Sequence, residues 1–364
     1  MFVVEKGEGF HVIDVSDPAA PVNKAFVECP FCVDLVVRNG TLYADSRMDI
    51  VLFDVSDINN IRESGRLKDY LPYMLPLPED KTLPCGVVEQ QKGVVIGWEI
   101  KRVKHYVHEV TYPVYNERDW IMDDGYYQDA NSSAPSIPES GNGSSSGKSG
   151  SMARLGLYEN YLYVMPENGY LLVFDLDASP VKVNNVGYIT GHETMFIQDK
   201  HLFFGASNGM SVYDLSIPFQ PLYVGGYWHF TSCDPVVVQD HYAYITMRGG
   251  TTCGGNLNQL DIVKMSENYK LMNLEASFPM AQPYGLGIDG NMLFVCDGAE
   301  GLKIFDASDK KNIEKLSVFA NIKAYDVIPV NNYLFMIGDD GFYLYDYSNP
   351  KNVKLLSHIA VKKK

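Results

Sequence analysis

A ten-residue strand signature recurs along this chain about every 40 residues: GFHVIDVSDP, DIVLFDVSDI, YLLVFDLDAS, GMSVYDLSIP, GLKIFDASDK and GFYLYDYSNP. Self-similarity at this period means a fold of stacked units, none of which buries its apolar faces alone. Each copy is an apolar, β-branched or aromatic run ending in an acid, a hydrophobe and usually Ser, then a turn-forming residue. The anchoring acids are Asp14, Asp54, Asp175, Asp214, Asp306 and Asp346. Weaker copies at Glu109 (HYVHEVT) and Lys264 (DIVKMS) extend the series to eight units, with insertions in the third and sixth. An acid repeated at one strand end in every unit is assigned a local role, accepting backbone N–H groups of the following turn together with the Ser two places on.

Each unit also carries an earlier strand pair, clearest in YDVIPVNNYLFMIG (325–338), YGLGIDGNMLFVCD (284–297) and ETMFIQDKHLFFGA (193–206). The dipeptides between the two strands, such as Asn331-Asn332, Gly290-Asn291 and Asn39-Gly40, tolerate the positive φ of a hairpin turn. A Gly- and acid-rich turn leads into the signature strand, and a Pro-containing loop leads out to a fourth strand. Four short antiparallel strands per unit, with no amphipathic helical stretch between them, are the pattern of propeller blades. The expected fold is all-β, a single β-propeller domain over residues 1–364 with eight four-stranded blades, seven being the alternative. The innermost strands, Leu35 to Val37, Val236 to Val238 and Val327 to Pro329, read as continuous apolar runs, as expected of strands covered on both faces.

The signature resembles the LVIVD repeat, a family of bacterial and archaeal β-propeller proteins; FHVIDVSDPAAPV and IVLFDVSDI are the nearest copies. The resemblance runs over residues 2–359 and is weak over 99–152 and 247–270. It implies a propeller and an extracytoplasmic setting, periplasmic or surface-bound, as a lipoprotein among other forms. The family also prefers a Tyr-Asp pair before the inner strand, which implies a scaffold role for Tyr325 and Asp326. It implies no particular reaction.

The first 15 residues, MFVVEKGEGFHVIDV, start at what would be the second strand of a unit, so the first unit lacks an inner strand. The last unit contains all four of its own strands, which favours residues trimmed upstream over a ring closed by the C-terminus. No signal peptide is visible in the first 30 residues. No apolar run reaches the 18 or so residues of a membrane span. A formal net charge of −15 disfavours nucleic acid and anionic membrane surfaces as partners. Six cysteines are present, at 29, 32, 85, 233, 253 and 296. Cys29-Pro-Phe-Cys32 has no second CxxC or His pair to complete a zinc site, and neither a metal nor a cofactor is expected. Packing is the favoured role of Cys32, Cys85 and Cys233, just before inner strands, with a disulfide within 29–32 or from Cys253 as the alternative.

Positions that break the repeat are not explained by the shared scaffold, and candidate functional residues are sought there. Aligning the inner strands places Asp34, Arg154, His192, Glu193, Asp234, Tyr284, Tyr325 and Asp326 one to three residues before them, around one mouth of the central channel. Such a polar ring suits a small ligand or a peptide end. Two insertions, near 112–152 and near 247–260, are expected on the same face. Residues 131–151 have too little apolar content to order themselves. The preceding stretch carries Trp120, Tyr126 and Tyr127, with Tyr112 and Tyr115, as candidate contacts for a sugar or a protein. No GxSxG elbow, P-loop, HExxH or dinucleotide fingerprint is present. His192 and Glu193 are adjacent on an extended strand, so their side chains point to opposite faces. The expected function is a non-catalytic binding or scaffold protein with a protein or carbohydrate partner; the alternative is a glycan or ester hydrolase or lyase working at the channel mouth.

Overall fold

The computed structural model describes residues 1–102, apart from isolated positions between 74 and 94, and residues 150–361, apart from 167–168, 178–179, 188–191, 230–234 and 251–254. Within 103–149 it describes only the short pairing of Ile137–Pro138 with Gly147–Lys148. Among the described residues the strands form seven antiparallel sheets in chain order, six of four strands and the first of three. These are the blades of a propeller, numbered here 1 to 7.

The signature runs form the third strand of each blade: Gly9–Asp14, Asp49–Asp54, Leu171–Asp175, Gly209–Asp214, Asn258–Met265, Leu302–Asp306 and Gly341–Asp346. The inner strands of blades 2 to 7 are Leu35–Arg38, Leu155–Tyr158, His192–Gln198, Val236–Gln239, Leu286–Asp289 and Ala324–Val330. Blade 1 has no such strand and starts at Phe2–Glu5, paired with its signature strand.

The count of eight blades is therefore corrected to seven. Val36, Tyr43 and Ile50 of blade 2 share one apolar cluster with Leu155, Leu162 and Leu172 of blade 3, so these two sheets pack face to face with no room for another. The described residues between 68 and 102 contain no strand. The anchor of the absent unit, Glu109, lies outside the described residues. The Lys264 unit, by contrast, is a regular four-stranded blade, with Lys264 above the Tyr242 ring.

The core lies in the seams between blades, because each sheet can cover its faces only against its neighbours. Phe10 of blade 1 meets Phe53 of blade 2 edge-on at 5.3 Å, and Phe294 of blade 6 meets Tyr347 of blade 7 at 4.9 Å. Blade 1 closes the ring: Phe2 and Val4 pack toward blade 2, while Val3 and Ile13 pack toward Ile328, Phe335 and Leu344 of blade 7.

The anchoring acids do local work. Asp14 accepts the Ser16 hydroxyl and amide at 2.7 and 3.0 Å, and Asp54, Asp214, Asp306 and Asp346 each accept the amide of the Ser two places on. The Ser16 bonds hold the Asp14 carboxyl at about 2. Asp17, Asp57, Asp309 and Asn349 repeat the device in the following turn.

Every blade also shifts register by one residue between its signature and outer strands, just before the anchor, as at Val12/Ile13, Leu52/Phe53 and Leu344/Tyr345. A bulge at this point adds twist to the outer half of the blade. The glycine opening the strand is required for a different reason. Gly341 sits at φ 150°, and a Cβ there would lie 2.2 Å from the Ile359 carbonyl oxygen. Gly9 and Gly209 face the outer-strand carbonyls of Val27 and Tyr227 at 2.1 Å in the same way. Gly341→Ala is expected to lower unfolding stability by about 2–4 kcal/mol in urea titrations, because the clash is with backbone that cannot yield. A loss below about 0.5 kcal/mol would contradict this close approach.

Candidate functional site

Two of the acids that precede the inner strands, Asp34 and Asp326, are held by buried hydrogen bonds to the segment that leads into blade 3. Asp34, at 2 % exposure, is the centre of the arrangement. Its Oδ1 accepts the Leu35 amide at 2.8 Å, and its Oδ2 accepts the amides of Arg154 and Leu155 in the next blade at 2.6 and 2.8 Å. One carboxylate thus staples the inner strand of blade 3 to that of blade 2. Asp45 performs a related task, taking the amides of Val33 and Asp34 on one oxygen at 2.7 and 2.8 Å.

In blade 7, on the other side of blade 1, Asp326 is fully buried and its Oδ1 accepts the Val327 amide at 2.9 Å and the Ser151 hydroxyl at 3.0 Å. Ser151 Oγ in turn accepts the Leu286 amide at 2.9 Å. Ser151 belongs to the segment that leads into blade 3, yet its partners belong to blades 6 and 7. The chain therefore crosses the channel mouth, and Ser151, Met152 and Ala153 are buried there. Behind the crossing lies a cavity of about 120 Å³ whose lining includes Gly150, Ser151, Gln198, Gln239, Asp289 and Pro329. The small, uncharged residues SGSMA at 149–153 suit a crossing this narrow.

Burial dominates the electrostatics. It pushes the Asp34 carboxyl up to about 6 against the three amides and Arg154, which favour the charged form. Burial likewise raises Asp326 to about 7 and Asp45 to about 7, and Asp34 adds like-charge repulsion to both. Lys6, from the turn after the first strand, is lowered to about 8 by burial and by Arg154. Asp34, Asp45, Asp326, Arg154 and Lys6 thus form one coupled charge group.

Tyr284 and Tyr325 are both buried and meet edge-on at 5.3 Å. Arg248, which the repeat alignment does not single out, lies 4.0 Å above the Tyr284 ring. Arg248 is 2 % exposed, and its Nη1 and the Tyr284 hydroxyl are buried without hydrogen-bond partners. The signal for Arg248 was its position as the last residue of Tyr242–Arg248, at the edge of the Gly-rich insertion.

The other candidates are arranged differently. His192 turns into its own blade, with Nε2 2.6 Å from Ser211 Oγ and its ring against Phe204. The register shifts between His192 and Thr194, so Glu193 sits at a bulge. Asp234, Trp120, Tyr126, Tyr127, Tyr112 and Tyr115 lie outside the described residues.

Cys29 and Cys32 are buried in the seam between blades 1 and 2. Both thiols are free, so no disulfide joins 29 and 32, and a hydrogen bond with Cys29 together with burial pushes the Cys32 thiol well up, which favours its protonated form. Among the described residues no group of three His, Cys, Asp or Glu side chains gathers as a metal site, and no helix is long and apolar enough to cross a membrane.

The LVIVD repeat family model matches residues 1–28 and 149–183, that is, blade 1 and the crossing with the first strands of blade 3. Over these residues the chain matches the LVIVD repeat, and its described sheets form a β-propeller. No curated protein matches the chain. Its fold is similar to that of a protein from Lactobacillus plantarum, with a TM-score of 0.61 and 10% identity over 97% of this chain and 93% of that one. A putative 6-phosphogluconolactonase from Bacteroides fragilis gives a TM-score of 0.61 at 8% identity, covering 100% and 95% of the two chains. The periplasmic gluconolactonase of Pseudomonas aeruginosa gives 0.58 at 12%, covering 99% and 96%. At such identities the likeness of this chain to the three is one of fold alone.

Proposed function

We propose that this LVIVD-repeat propeller is a non-catalytic binding protein that presents its insertion-bearing face, outside the cytoplasm, to a protein or carbohydrate partner. The observation that carries this reading is the commitment of the mouth carboxylates. Asp34 spends both oxygens on backbone amides across a blade seam, and Asp326 anchors the segment that fills the mouth. Carboxylates so engaged hold a ring together, and Asp34 in particular has no oxygen left to meet substrate as an acid–base pair would need. Both insertions are expected on the face above them, and the stretch that precedes the first is docked on blade 2: Arg47 donates to the Val95 carbonyl at 2.9 Å, and the Leu71 amide to that of Met48. This docked stretch leaves Val87 and Ile96 at 83% and 76% exposure, apolar surface of the kind that partners cover.

The experiment replaces residues 112–148 by a short Gly-Ser linker, leaving the crossing intact, and compares capture of cell-envelope proteins and of glycans on an array. Capture is expected to fall at least tenfold while the thermal midpoint stays within a few degrees. Unchanged capture would remove the insertion-bearing face from the account.

A second reading rests on Arg248 and Tyr284, whose unpartnered donors suit a small anion at the mouth. It is the reading under which a lactone or other ester is turned over, and it shares its fold with two proteins named as lactonases.

A further inference from the structure

Arg248 and Tyr284 meet across the seam between blades 5 and 6, and the fold holds both in place. Arg248 ends the second strand of blade 5, Tyr242–Arg248, and its guanidinium carbon lies 4.0 Å from the centre of the Tyr284 ring. Two residues earlier on that strand, the Thr246 hydroxyl donates to the Tyr284 carbonyl at 2.5 Å, which ties Tyr284 to blade 5. The Tyr284 ring also meets Tyr325 of blade 7 edge-on at 5.3 Å. Both members of the pair are closed to solvent, Arg248 at 2 % exposure and Tyr284 at 1 %.

A guanidinium keeps its charge in a protein interior, so a buried one calls for a counter-charge. Among the described residues no carboxylate pairs with Arg248. The buried acids of blades 5 and 6 are engaged elsewhere: Asp261 accepts Gln259 Nε2 at 2.8 Å and Ser277 Oγ at 2.6 Å, while Asp297 takes the amides of Ala281 and Gln282 and the Lys303 ammonium. Arg248 Nη1 and the Tyr284 hydroxyl oxygen are each buried with no hydrogen-bond partner among the described residues. A twin in blade 2 shows what this position does. By the register of the inner hairpins, Arg47 is the counterpart of Arg248. Its guanidinium carbon lies 3.4 Å from the centre of the Phe31 ring, and its Nη1 donates to the Val95 carbonyl at 2.9 Å. Arg47 is partly open to solvent, and a neutral carbonyl suffices there. Arg248 is enclosed and has no such acceptor.

We propose that Arg248 and Tyr284 form a binding site for one small monovalent anion, a halide or a small carboxylate, held by Arg248 Nη1 and the Tyr284 hydroxyl. The guanidinium offers only donors and the phenol adds another, so the ligand must be an acceptor; one acceptor atom bonded to each at about 3 Å satisfies both. An anion also balances the buried charge, which a neutral acceptor does not. Enclosure by Tyr325 and the blade seam selects a small ion, and a single guanidinium matches a single negative charge. The inference rests on the anion site of the second reading above and assigns its ligand class; it requires no turnover. The formal net charge of −15 keeps binding of anions elsewhere on the surface weak.

The test uses the intact protein with sodium chloride and sodium formate as probes. The chloride NMR signal is expected to broaden beyond its width in buffer, and that excess is expected to fall at least fivefold in Arg248→Gln and in Tyr284→Phe, which keeps the ring beneath Arg248. With ionic strength fixed by sodium sulfate, chloride is expected to raise the urea midpoint of the wild type and not that of Arg248→Gln, because the anion binds only the folded state. A rise with formate as well assigns a site open to carboxylates; a rise with chloride alone assigns a halide site. Wild type that shows neither broadening nor a midpoint rise with either salt overturns the proposal, and so do effects of equal size in both variants. Anion binding without lactone turnover removes only the second reading, whereas turnover without anion binding removes this inference and leaves that reading standing.

Discussion

Replacing Asp34 by Ala is expected to destabilise the protein by about 3–5 kcal/mol, among the largest effects of any single substitution in the ring. Three backbone amides, those of Leu35, Arg154 and Leu155, lose their acceptor at once in a site closed to water. Each buried donor left unsatisfied costs roughly 1–3 kcal/mol, and relaxation of the seam recovers part of that sum. The substitution strikes the junction between blades 2 and 3, whose apolar cluster includes Val36, Tyr43, Leu155 and Leu172. The measurement is equilibrium urea unfolding of wild type, Asp34→Ala and Asp14→Ala. Asp14 accepts Ser16 in a turn and pairs with Lys24 at 3.4 Å, both partly open to water, so its removal is expected to cost much less than that of Asp34. Equal losses would mean that the mouth acid is no more than another turn residue.

Stability is expected to fall, not rise, between about pH 5 and pH 8. Burial raises Asp34 to about 6 and Asp326 to about 7, whereas an unfolded chain gives both carboxyls the ordinary value of about 4. Over that interval the folded protein therefore holds more protons than the unfolded one. Their contribution is fully present below about pH 4 and is lost as pH climbs through 6 and 7. For Asp326 the full span corresponds to about 4 kcal/mol, an upper figure because structural relaxation and coupling to Asp34 reduce it. The turn acids act in the opposite sense. Asp14, held at about 2, and Asp54, Asp214, Asp306 and Asp346, held low by their Ser partners, stabilise above pH 4 and cease to do so in acid. The two families together place maximum stability near pH 4–5.5. Asp326→Asn is expected to flatten the fall between pH 5 and 8 in urea titrations, and an unchanged slope would remove Asp326 from this account.

The repeat made most of this ring legible in the sequence. Six signature strands end at the acids that define the repeat, and the turns at Asn39-Gly40 and Asn331-Asn332 adopt the positive φ their composition suggests. The missing inner strand of blade 1 was legible too, because MFVVEKGEGF aligns with a second strand. Blade number was not, since Glu109 closes a weak copy of the signature, HYVHEVT, at about the expected spacing, whereas a blade requires two neighbours to pack on. That condition is three-dimensional: the direct packing of Leu162 against the blade 2 cluster excludes the eighth sheet. The bulge before each anchor left no mark, because an inserted residue preserves local hydrophobicity while changing the register.

The mouth was legible as a list of positions but not as a network. Alignment brought together Asp34, Arg154, Tyr284, Tyr325 and Asp326, all of which border the crossing or its aromatic flank. It did not reveal that Ser151 spans the ring, because nothing in SGSMA announces partners 135 and 175 residues away. Nor did it find Arg248, which lies at the far end of a second strand rather than before a first. His192 was misleading for a simple reason: a side chain on an inner strand faces a seam as readily as the channel, and this one finds Ser211.

The most direct test of the proposal that the mouth acids hold the ring rather than act on a substrate is a turnover assay of the purified protein on glucono-lactone and 6-phosphogluconolactone at pH 6. The account predicts hydrolysis no faster than in buffer, for wild type and for Asp34→Asn and Asp326→Asn alike. Saturable turnover by the wild type that disappears in either variant would contradict it, and would make the channel mouth an active site.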